Sequence, residues 1–287
     1  MTRFDLQAHS TKSDGTLAPS AVVSDAAAAG IELFALSDHD TVDGVAEALG
    51  AGARNGIDVV PATELSSVSR EHEDLHILGY RIDHTDPALL ATLADYREDR
   101  ARRIEAMAQL LSDDGWSLDE RVLRQRREAG EPLGRPHLAQ AAFGHPANAQ
   151  RIAREELETF SDLLVAYLTP GRPTYRARTR PTVEEAIATI HAAGGVAVWA
   201  HPFWEVDRPD EALDTIDRFR AAGLDGVEVF YITHTEEQTL FLADACTERG
   251  MLQTGSADFH GPDNPRFNRF GAFELYGREP VLGPIAP

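Results

Sequence analysis

The segment Ile31–Thr41 constrains the fold most, because it places a polar cluster at the end of an apolar strand. Its first half, 31–36, is apolar and partly β-branched, which is typical of a buried strand. Asp38, His39 and Asp40 follow at once. Such side chains are costly to bury without partners, and in α/β proteins the carboxyl ends of strands carry the functional groups. The segment therefore predicts an α/β fold with a site suited to metal at one end of its strands.

Short apolar strands and helices alternate along most of the chain. We predict strands at residues 3–6, 31–36, 58–64, 72–81, 195–200, 227–231 and 251–256. We predict helices at residues 19–29, 43–54, 182–193, 211–222 and 236–249. This alternation is typical of a parallel sheet or a barrel.

The middle of the chain has a different character. Residues 87–127 are helical in period and rich in arginine, which we interpret mainly as solvated helix faces, and a further helix is predicted at about 148–165. We therefore predict one barrel domain formed by residues 1–95 and 173–287. Residues 96–172 are predicted to form a helical insertion that acts as a lid over the site.

Charge and cysteine content limit the possible partners and compartment. The 287 residues carry a formal net charge of −20, which disfavours long duplex nucleic acid as a partner but allows a small phosphorylated ligand held through cations. The single cysteine, Cys246, excludes a disulfide framework and a thiolate metal cage. No apolar run approaches the roughly 20 residues that span a membrane, so we expect a soluble, cytoplasmic protein.

Residues of the metal-ligand type recur where the predicted strands end. They are His9, Asp14, His39, Glu64, His76, His201, His234, Asp258 and His260. A single histidine in such a place is more often structural, but a repeated coincidence is hard to dismiss. Histidine and carboxylate without cysteine suit zinc, manganese or iron, and the set exceeds what one ion can use. We therefore predict two or three divalent metal ions.

Taken together, these motifs resemble the PHP (polymerase and histidinol phosphatase) family of metal-dependent phosphoesterases. The resemblance covers DLQAHS-x-x-SDGT at 5–16, ALSDHDT at 35–41, the Glu64 strand, HILGY at 76–80, WAHP at 199–202 and SADFHG at 256–261. GRPH at 134–137 resembles the insertion of the branch that contains nucleotide phosphatases and short-RNA exonucleases. The resemblance implies a distorted seven-stranded (β/α) barrel with up to three metals at the strand ends.

The resemblance also implies roles for individual residues. The first metal site would use Gln7, His9, Glu64 and Asp258, the second Glu64, His76 and His201 with Glu64 bridging, and the third Asp14, His39 and His260. The phosphate would be held by Arg135 and His137, with His234 as a further candidate.

The first motif departs from the family pattern. The family has His-x-His, whereas this chain has Gln7-Ala8-His9. An amide oxygen is a poorer ligand than imidazole for zinc-like ions, although it is acceptable to harder ions such as Mn²⁺. Our hypothesis is that the first site is occupied but weakened.

The implied reaction is hydrolysis of a phosphate monoester by a hydroxide bound to the metals that share Glu64. Arg135 would add positive charge, and either His201 or His234 would protonate the leaving group. The leading substrate is a 3′,5′-nucleotide bisphosphate or a nucleoside monophosphate. The runner-up is 5′-to-3′ trimming of short oligoribonucleotides, and histidinol phosphate comes third. An alternative of another class is a non-catalytic metal- or nucleotide-binding domain, which is disfavoured because the other ligand positions hold competent residues.

Overall fold

The structure is a computed structural model that describes residues 3–128 and 133–286. The chain divides into two compact units: a barrel unit, made of the residues up to Ala94 and from Arg180 onward, and a helical unit, Asp95–Thr179. Within the described ranges, no helix is both long and apolar enough to cross a membrane.

Seven strands in the described part of the barrel unit form one sheet in sequence order. They are β1 (Phe4–Asp5), β2 (Leu33–Leu36), β3 (Asp58–Ser67), β4 (Leu75–Tyr80), β5 (Val196–Trp199), β6 (Gly226–Tyr231) and β7 (Leu252–Ser256). The helices are α1 (Pro19–Ala28), α2 (Val45–Asn55), α3 (Pro87–Asp113), α4 (Glu120–Glu128), α5 (Arg135–Phe143), α6 (Ala149–Arg154), α7 (Phe160–Tyr167), α8 (Val183–Ala192), α9 (Pro209–Ala221) and α10 (Glu236–Arg249).

The first and last strands meet and nearly close the sheet into a barrel. The Leu6 N–H donates to the Gly255 carbonyl at 3.2 Å, and Ala8 forms a parallel bridge with Phe259. The predicted seven-stranded α/β barrel is therefore confirmed. The two strands that form this seam come from opposite ends of the sequence.

The direction of β4 corrects the expectation of a purely parallel sheet. β4 runs antiparallel to both β3 and β5, whereas the other neighbouring pairs are parallel. No helix separates β3 from β4, so the long crossover that a parallel pair requires is missing. Because of this reversal, the beginning of β4 lies beside the end of β3, and His76 pairs with Ser66.

Alternate residues of the strands fill the barrel. One buried apolar cluster contains Phe4, Leu6, Leu33, Ala35, Val60, Ala62, Leu78, Tyr80, Val198 and Ala200. These share one parity along each strand, as expected for the inward face. Phe34 and Leu36, of the other parity, pack with residues of α1 and α2. The next residue of the inward parity on β3 after Ala62 is Glu64, so the filling changes from apolar to acidic at the carboxyl end.

Capping residues define the helices around the barrel. The Thr235 hydroxyl accepts from the Gln238 N–H at 3.2 Å, and the Gln238 side chain accepts from the Thr235 N–H at 2.9 Å. α10 ends at Gly250, whose φ of 64° is readily adopted by glycine. The helix predicted at 236–249 is confirmed.

The helical unit corrects one predicted element. Residues 148–165 do not form one helix, because α6 ends at Arg154 and α7 begins at Phe160. Glu156 between them has a φ of 55°, outside the helical region, and Thr159 and Asp162 form a capping box that starts α7. The core of the unit is apolar and includes Ile104, Met107, Leu111, Trp116, Leu123, Leu138, Leu163 and Leu168.

Candidate metal centre

Potential ligands from several strand ends converge at one rim of the barrel. Three groups of ligand atoms each lie within 4.8 Å of one another: His9, Asp14, His39 and His260; His39, Glu64 and His76; and His9, Glu64 and Asp258. Each group shares at least one member with another. The arrangement is therefore one cluster with several potential ion positions.

Glu64 lies at the centre of the cluster and is fully buried. Its Oε1 is 2.6 Å from His76 Nδ1 and 3.3 Å from His201 Nε2. Its Oε2 is 3.1 Å from His9 Nε2 and 3.8 Å from His39 Nδ1. Each carboxylate oxygen thus faces a different pair of imidazoles, which is the arrangement expected of a carboxylate that bridges two ions.

Asp14 forms a second focus at the outer side of the cluster. Its carboxylate oxygens lie 3.5 Å from His260 Nε2, 3.6 Å from His39 Nε2 and 3.7 Å from His9 Nδ1. Asp258 lies 3.0 Å from His9 Nε2. The structure therefore brings together His9, Asp14, His39, Glu64, His76, His201, Asp258 and His260.

Several atoms of the cluster are buried without a hydrogen bond among the described residues. They include His9 Nε2, His39 Nδ1, His76 Nδ1 and Asp258 Oδ1. A buried polar nitrogen or oxygen that makes no hydrogen bond lowers the stability of the folded protein. A divalent cation would satisfy these atoms, so the donor set fits a metal.

Ionisation of the carboxylates also favours a cation. Burial raises the pKa of Glu64, but the neighbouring His39 and His76 outweigh that effect and hold its pKa well below the usual range. Burial lowers the pKa of His39 to about 4, although the negative charges of Glu64 and Asp14 act in the opposite direction. Burial also lowers the pKa of His76, but Glu64 in turn outweighs that effect and raises the pKa of His76 to about 10. At neutral pH an ionised Glu64 therefore faces a protonated His76, and a cation that binds there would displace that proton.

Gln7 lies against the bridging carboxylate. Its Nε2 donates to Glu64 Oε2 at 2.8 Å, and its Oε1 accepts from the Ser256 hydroxyl at 3.1 Å. In this arrangement the amide orients Glu64. The predicted role of Gln7 as a metal ligand stays a prediction.

The loop between β1 and α1 is held by Asp38 from the next strand. Asp38 accepts from the N–H and hydroxyl of Ser10 and from the Ser13 hydroxyl, each at 2.7 Å. A Cβ at Gly15 would lie only 2.2 Å from the His9 carbonyl oxygen, so the loop requires glycine there. Asp38 supports the centre and is in none of the three ligand groups.

Two of the predicted ligands have unusual backbone geometry. His201 and Asp258 have φ values of 32° and 52°, a region that residues other than glycine seldom adopt. The Tyr231 hydroxyl donates to Asp258 Oδ2 at 2.8 Å and fixes its carboxylate. The surrounding fold therefore holds both ligands in place.

Glu228 on β6 is a supporting residue that the sequence analysis missed. It is fully buried, its Oε2 accepts from the His201 N–H at 2.9 Å, and its Oε1 lies 2.6 Å from the Ser256 hydroxyl oxygen. Burial raises the pKa of Glu228 well above its usual value, which favours its protonated form. The signal was present: Glu228 is the one acid in the otherwise apolar strand GVEVFY.

His234 lies outside the three ligand groups. Its Nδ1–H donates to the Val229 carbonyl at 3.0 Å, which leaves Nε2 as an acceptor that has no partner among the described residues. Burial lowers the pKa of His234 to about 4. The ring is therefore neutral at neutral pH and cannot contribute positive charge there.

Arg135 and His137 begin α5 in the helical unit. The Gly134 N–H donates to His137 Nδ1 at 2.9 Å, and the guanidinium of Arg135 lies 5.9 Å from the ring centre of Tyr175. Pro136 lies in the first turn of α5, where its lack of an N–H costs no hydrogen bond. The predicted phosphate-binding role of the two residues stays a prediction.

A cavity of about 140 Å³ opens onto the cluster. Its walls are formed by His39, Glu64, His76, His201, Trp204, Tyr231, Asp258, His260 and Phe267. One side therefore consists of potential metal ligands and another of aromatic side chains. A small anionic group fits this cavity in size, and cations bound in the cluster would offset the charge of Glu64 and Asp258 in its wall.

Comparisons with known proteins cover nearly the whole chain, although no family profile matches it. It is 35% identical to a 3′,5′-nucleoside bisphosphate phosphatase from Chromobacterium violaceum, over 91% of this chain and 88% of that protein. It is 30% identical to a 5′-3′ exoribonuclease from Haemophilus influenzae, over 91% of this chain and 90% of that protein. An amidohydrolase structure from C. violaceum, with bound sulfate and no metal, matches with a TM-score of 0.77 at 32% identity, covering 93% and 90% of the two chains.

Proposed function

This chain belongs to the PHP family of metal-dependent phosphoesterases, and on that premise we propose that it removes a phosphate group from small nucleotides. The substrate we propose is a 3′,5′-nucleotide bisphosphate or a nucleoside monophosphate, in line with the phosphatase that is 35% identical. The observation that carries the proposal is the position of Glu64, which faces four imidazoles at 2.6–3.8 Å.

We propose that two or three divalent ions bind in the cluster, with manganese, zinc or iron as the candidates. Glu64 would bridge, His76 and His201 would hold one ion, His9 and Asp258 another, and Asp14, His39 and His260 a third. When bound, such ions neutralise phosphoryl charge and make water acidic enough to attack at neutral pH.

The protein's own groups position the substrate and these ligands. Arg135, a planar cation suited to phosphate, and His137 are proposed to bind the phosphoryl oxygens. His234 is proposed to contact the substrate as a hydrogen-bond acceptor, since its Nε2 is unprotonated. An acceptor suits a substrate hydroxyl better than a phosphate. Neither ring is then a donor of the proton that the leaving oxygen needs, because His234 carries none on Nε2 and His201 would hold an ion.

A second candidate is 5′-to-3′ hydrolysis of short oligoribonucleotides by the same centre. The exoribonuclease of H. influenzae is 30% identical, and the exoribonuclease Rnm of Escherichia coli is 29% identical over 90% of this chain. Both reactions break a phosphate ester. They differ in product, because a phosphatase releases inorganic phosphate and an exonuclease releases nucleotides.

A substrate panel tests both candidates. The protein is incubated with adenosine 3′,5′-bisphosphate, adenosine 5′-monophosphate or a short 5′-phosphorylated oligoribonucleotide, with added Mn²⁺, Zn²⁺ or Fe²⁺. We expect inorganic phosphate from the mononucleotides and loss of turnover with a chelator. Mononucleotide products from the oligoribonucleotide alone would favour the second candidate. Absence of turnover under every metal would overturn the proposal.

A further inference from the structure

An aromatic shelf forms the outer wall of the cavity. We define it as Trp204 and Phe267, whose ring centres lie 5.9 Å apart, together with Arg266. The guanidinium of Arg266 is 5.8 Å from the Trp204 ring centre and 6.0 Å from that of Phe267. All three lie in the barrel unit.

Trp204 is unusually exposed for a tryptophan. Its exposed fraction is 48%, whereas Trp116 and Trp199 are exposed by 2% and 1%. Together with Phe267, Trp204 presents an aromatic surface at the wall of the cavity, where a bound ligand would cover it. The backbone that carries the ring is held in place, because the Trp204 N–H donates to the His201 carbonyl at 2.8 Å.

Phe267 is anchored to the metal centre in a similar way. The His260 N–H donates to the Phe267 carbonyl at 2.9 Å. Asn264 Oδ1 accepts from the N–H groups of Arg266 and Phe267 at 3.0 and 2.9 Å, which fixes the turn that carries them. Both rings are therefore held by direct backbone bonds to residues that are candidate metal ligands.

The shape and chemistry of the shelf specify a ligand class. The ring centres of His201 and Trp204 are 6.3 Å apart, so a nucleotide whose phosphate lies among the ligands can reach the shelf with its base, with the ribose between the two. Aromatic rings and a guanidinium plane are the groups on which flat π-systems stack. An aliphatic group would gain little from the planar geometry.

We infer that the shelf binds the nucleobase of the substrate by stacking on Trp204. This inference rests on the proposed function and adds where the base is recognised. Stacking depends little on which base is present, because every base has a π-face. The site is therefore expected to require a base without selecting strongly among bases.

The test compares two phosphomonoesters that differ only in the base. Adenosine 5′-monophosphate and ribose 5-phosphate are assayed with the metal-loaded protein, and the ratio of their kcat/KM values is measured for the wild type, Trp204→Ala and Trp204→Phe. Stacking of one base changes binding by roughly tenfold, so we expect Trp204→Ala to lower the ratio by about that factor through KM. Trp204→Phe is expected to keep most of the wild-type ratio.

Tyr276→Ala is the matched control, because Tyr276 is an exposed aromatic residue that does not line the cavity. Fluorescence gives a readout that is independent of turnover: adenosine 5′-monophosphate, and not ribose 5-phosphate, is expected to quench emission from the exposed Trp204. Hydrolysis of both compounds with an unchanged ratio in Trp204→Ala would overturn the shelf and leave the phosphatase intact. Quenching without hydrolysis under any metal would overturn the phosphatase and support the shelf.

Discussion

The barrel unit holds fully buried functional charges, whereas every charged residue in the described part of the helical unit keeps some contact with solvent. Glu64 and His9 are fully buried in the metal centre. In the helical unit, Arg121 pairs with Asp119 at 2.9 Å while the arginine side chain stays 83% exposed. A buried charge without a matched partner costs several kcal/mol, but an exposed pair contributes roughly 0–1 kcal/mol. Buried charge therefore marks the part of the chain where function outweighs stability.

The largest effect that would test this comparison is expected at Glu64. Glu64→Gln removes the charge that would bridge two ions, so we expect kcat/KM to fall by at least about 10³-fold and bound metal to decrease. Glu228→Gln is the matched control: Glu228 is also buried, but burial favours its protonated form, and glutamine can preserve its hydrogen bonds. Metal analysis and steady-state kinetics check both. Equal losses in the two variants would mean that burial and not charge distinguishes Glu64.

Arg135 tests whether the helical unit contributes to chemistry as well as to stability. Arg135→Ala is expected to lower kcat/KM by about 10²-fold while metal content stays constant, because a cation that contacts the phosphoryl oxygens acts on the substrate alone. Metal content is measured on the same samples as the rate. An unchanged rate would show that Arg135 does not act on the substrate and would leave the functional residues in the barrel unit.

The buried His234 is expected to make stability depend on pH. Its pKa is about 4 in the folded protein, below the ordinary value of 6.5, so the unfolded chain binds a proton more readily. The free energy of unfolding should therefore fall as pH decreases from about 6.5 towards 4, by about 2–3 kcal/mol from this residue. Denaturant titrations in chelator compare the wild type with His234→Asn. Parallel pH profiles for the two proteins would contradict the buried neutral ring.

Gln7 offers a smaller change within the metal centre. Gln7→His replaces an amide with the imidazole that the family pattern has, and we expect the affinity for one zinc-like ion to rise by roughly tenfold. Equilibrium dialysis against a metal buffer gives affinity and stoichiometry. Identical values for the wild type and the variant would show that the amide at this position does not weaken the site.

Arg151 is expected to show the smallest effect and belongs to the helical unit. It pairs with Asp114 and Glu155 at 2.6 and 2.8 Å, and its guanidinium lies 4.3 Å from the Trp116 ring centre. Arg151→Ala should lower the free energy of unfolding by about 1 kcal/mol. Arg121→Ala, which removes an exposed pair, should cost less. Chemical denaturation ranks the two, and the reverse order would contradict this assignment.

Most of the fold was predictable because its signals are local. Apolar strands and capped helices alternate in the sequence, and α10 begins and ends where its cap residues indicate. The direction of β4 was missed because an alternating pattern is the same in a parallel and an antiparallel strand, although the short segment 65–71 between the two predicted strands leaves no room for a parallel crossover. The break between α6 and α7 was missed although Thr159 and Asp162 form a capping pair, because the helical period continues across it.

Within the site, residues that end strands were easier to find than residues that support them. His76 was predicted as a strand-end ligand but lies near the beginning of β4, and the reversal of that strand brings it to the same rim. Glu228 and Ser256 act through bonds to other side chains, and such partners are known only when the strands are placed side by side.

The seam between β1 and β7 has a consequence for how the protein matures. His9 and Asp258 approach to 3.0 Å only because the first and last strands are neighbours. An emerging chain therefore lacks part of the set of potential ligands until residues 258–260 have been synthesised. An ion held by both His9 and Asp258 would bind only after the two strands have come together, so its retention would report that the barrel has closed.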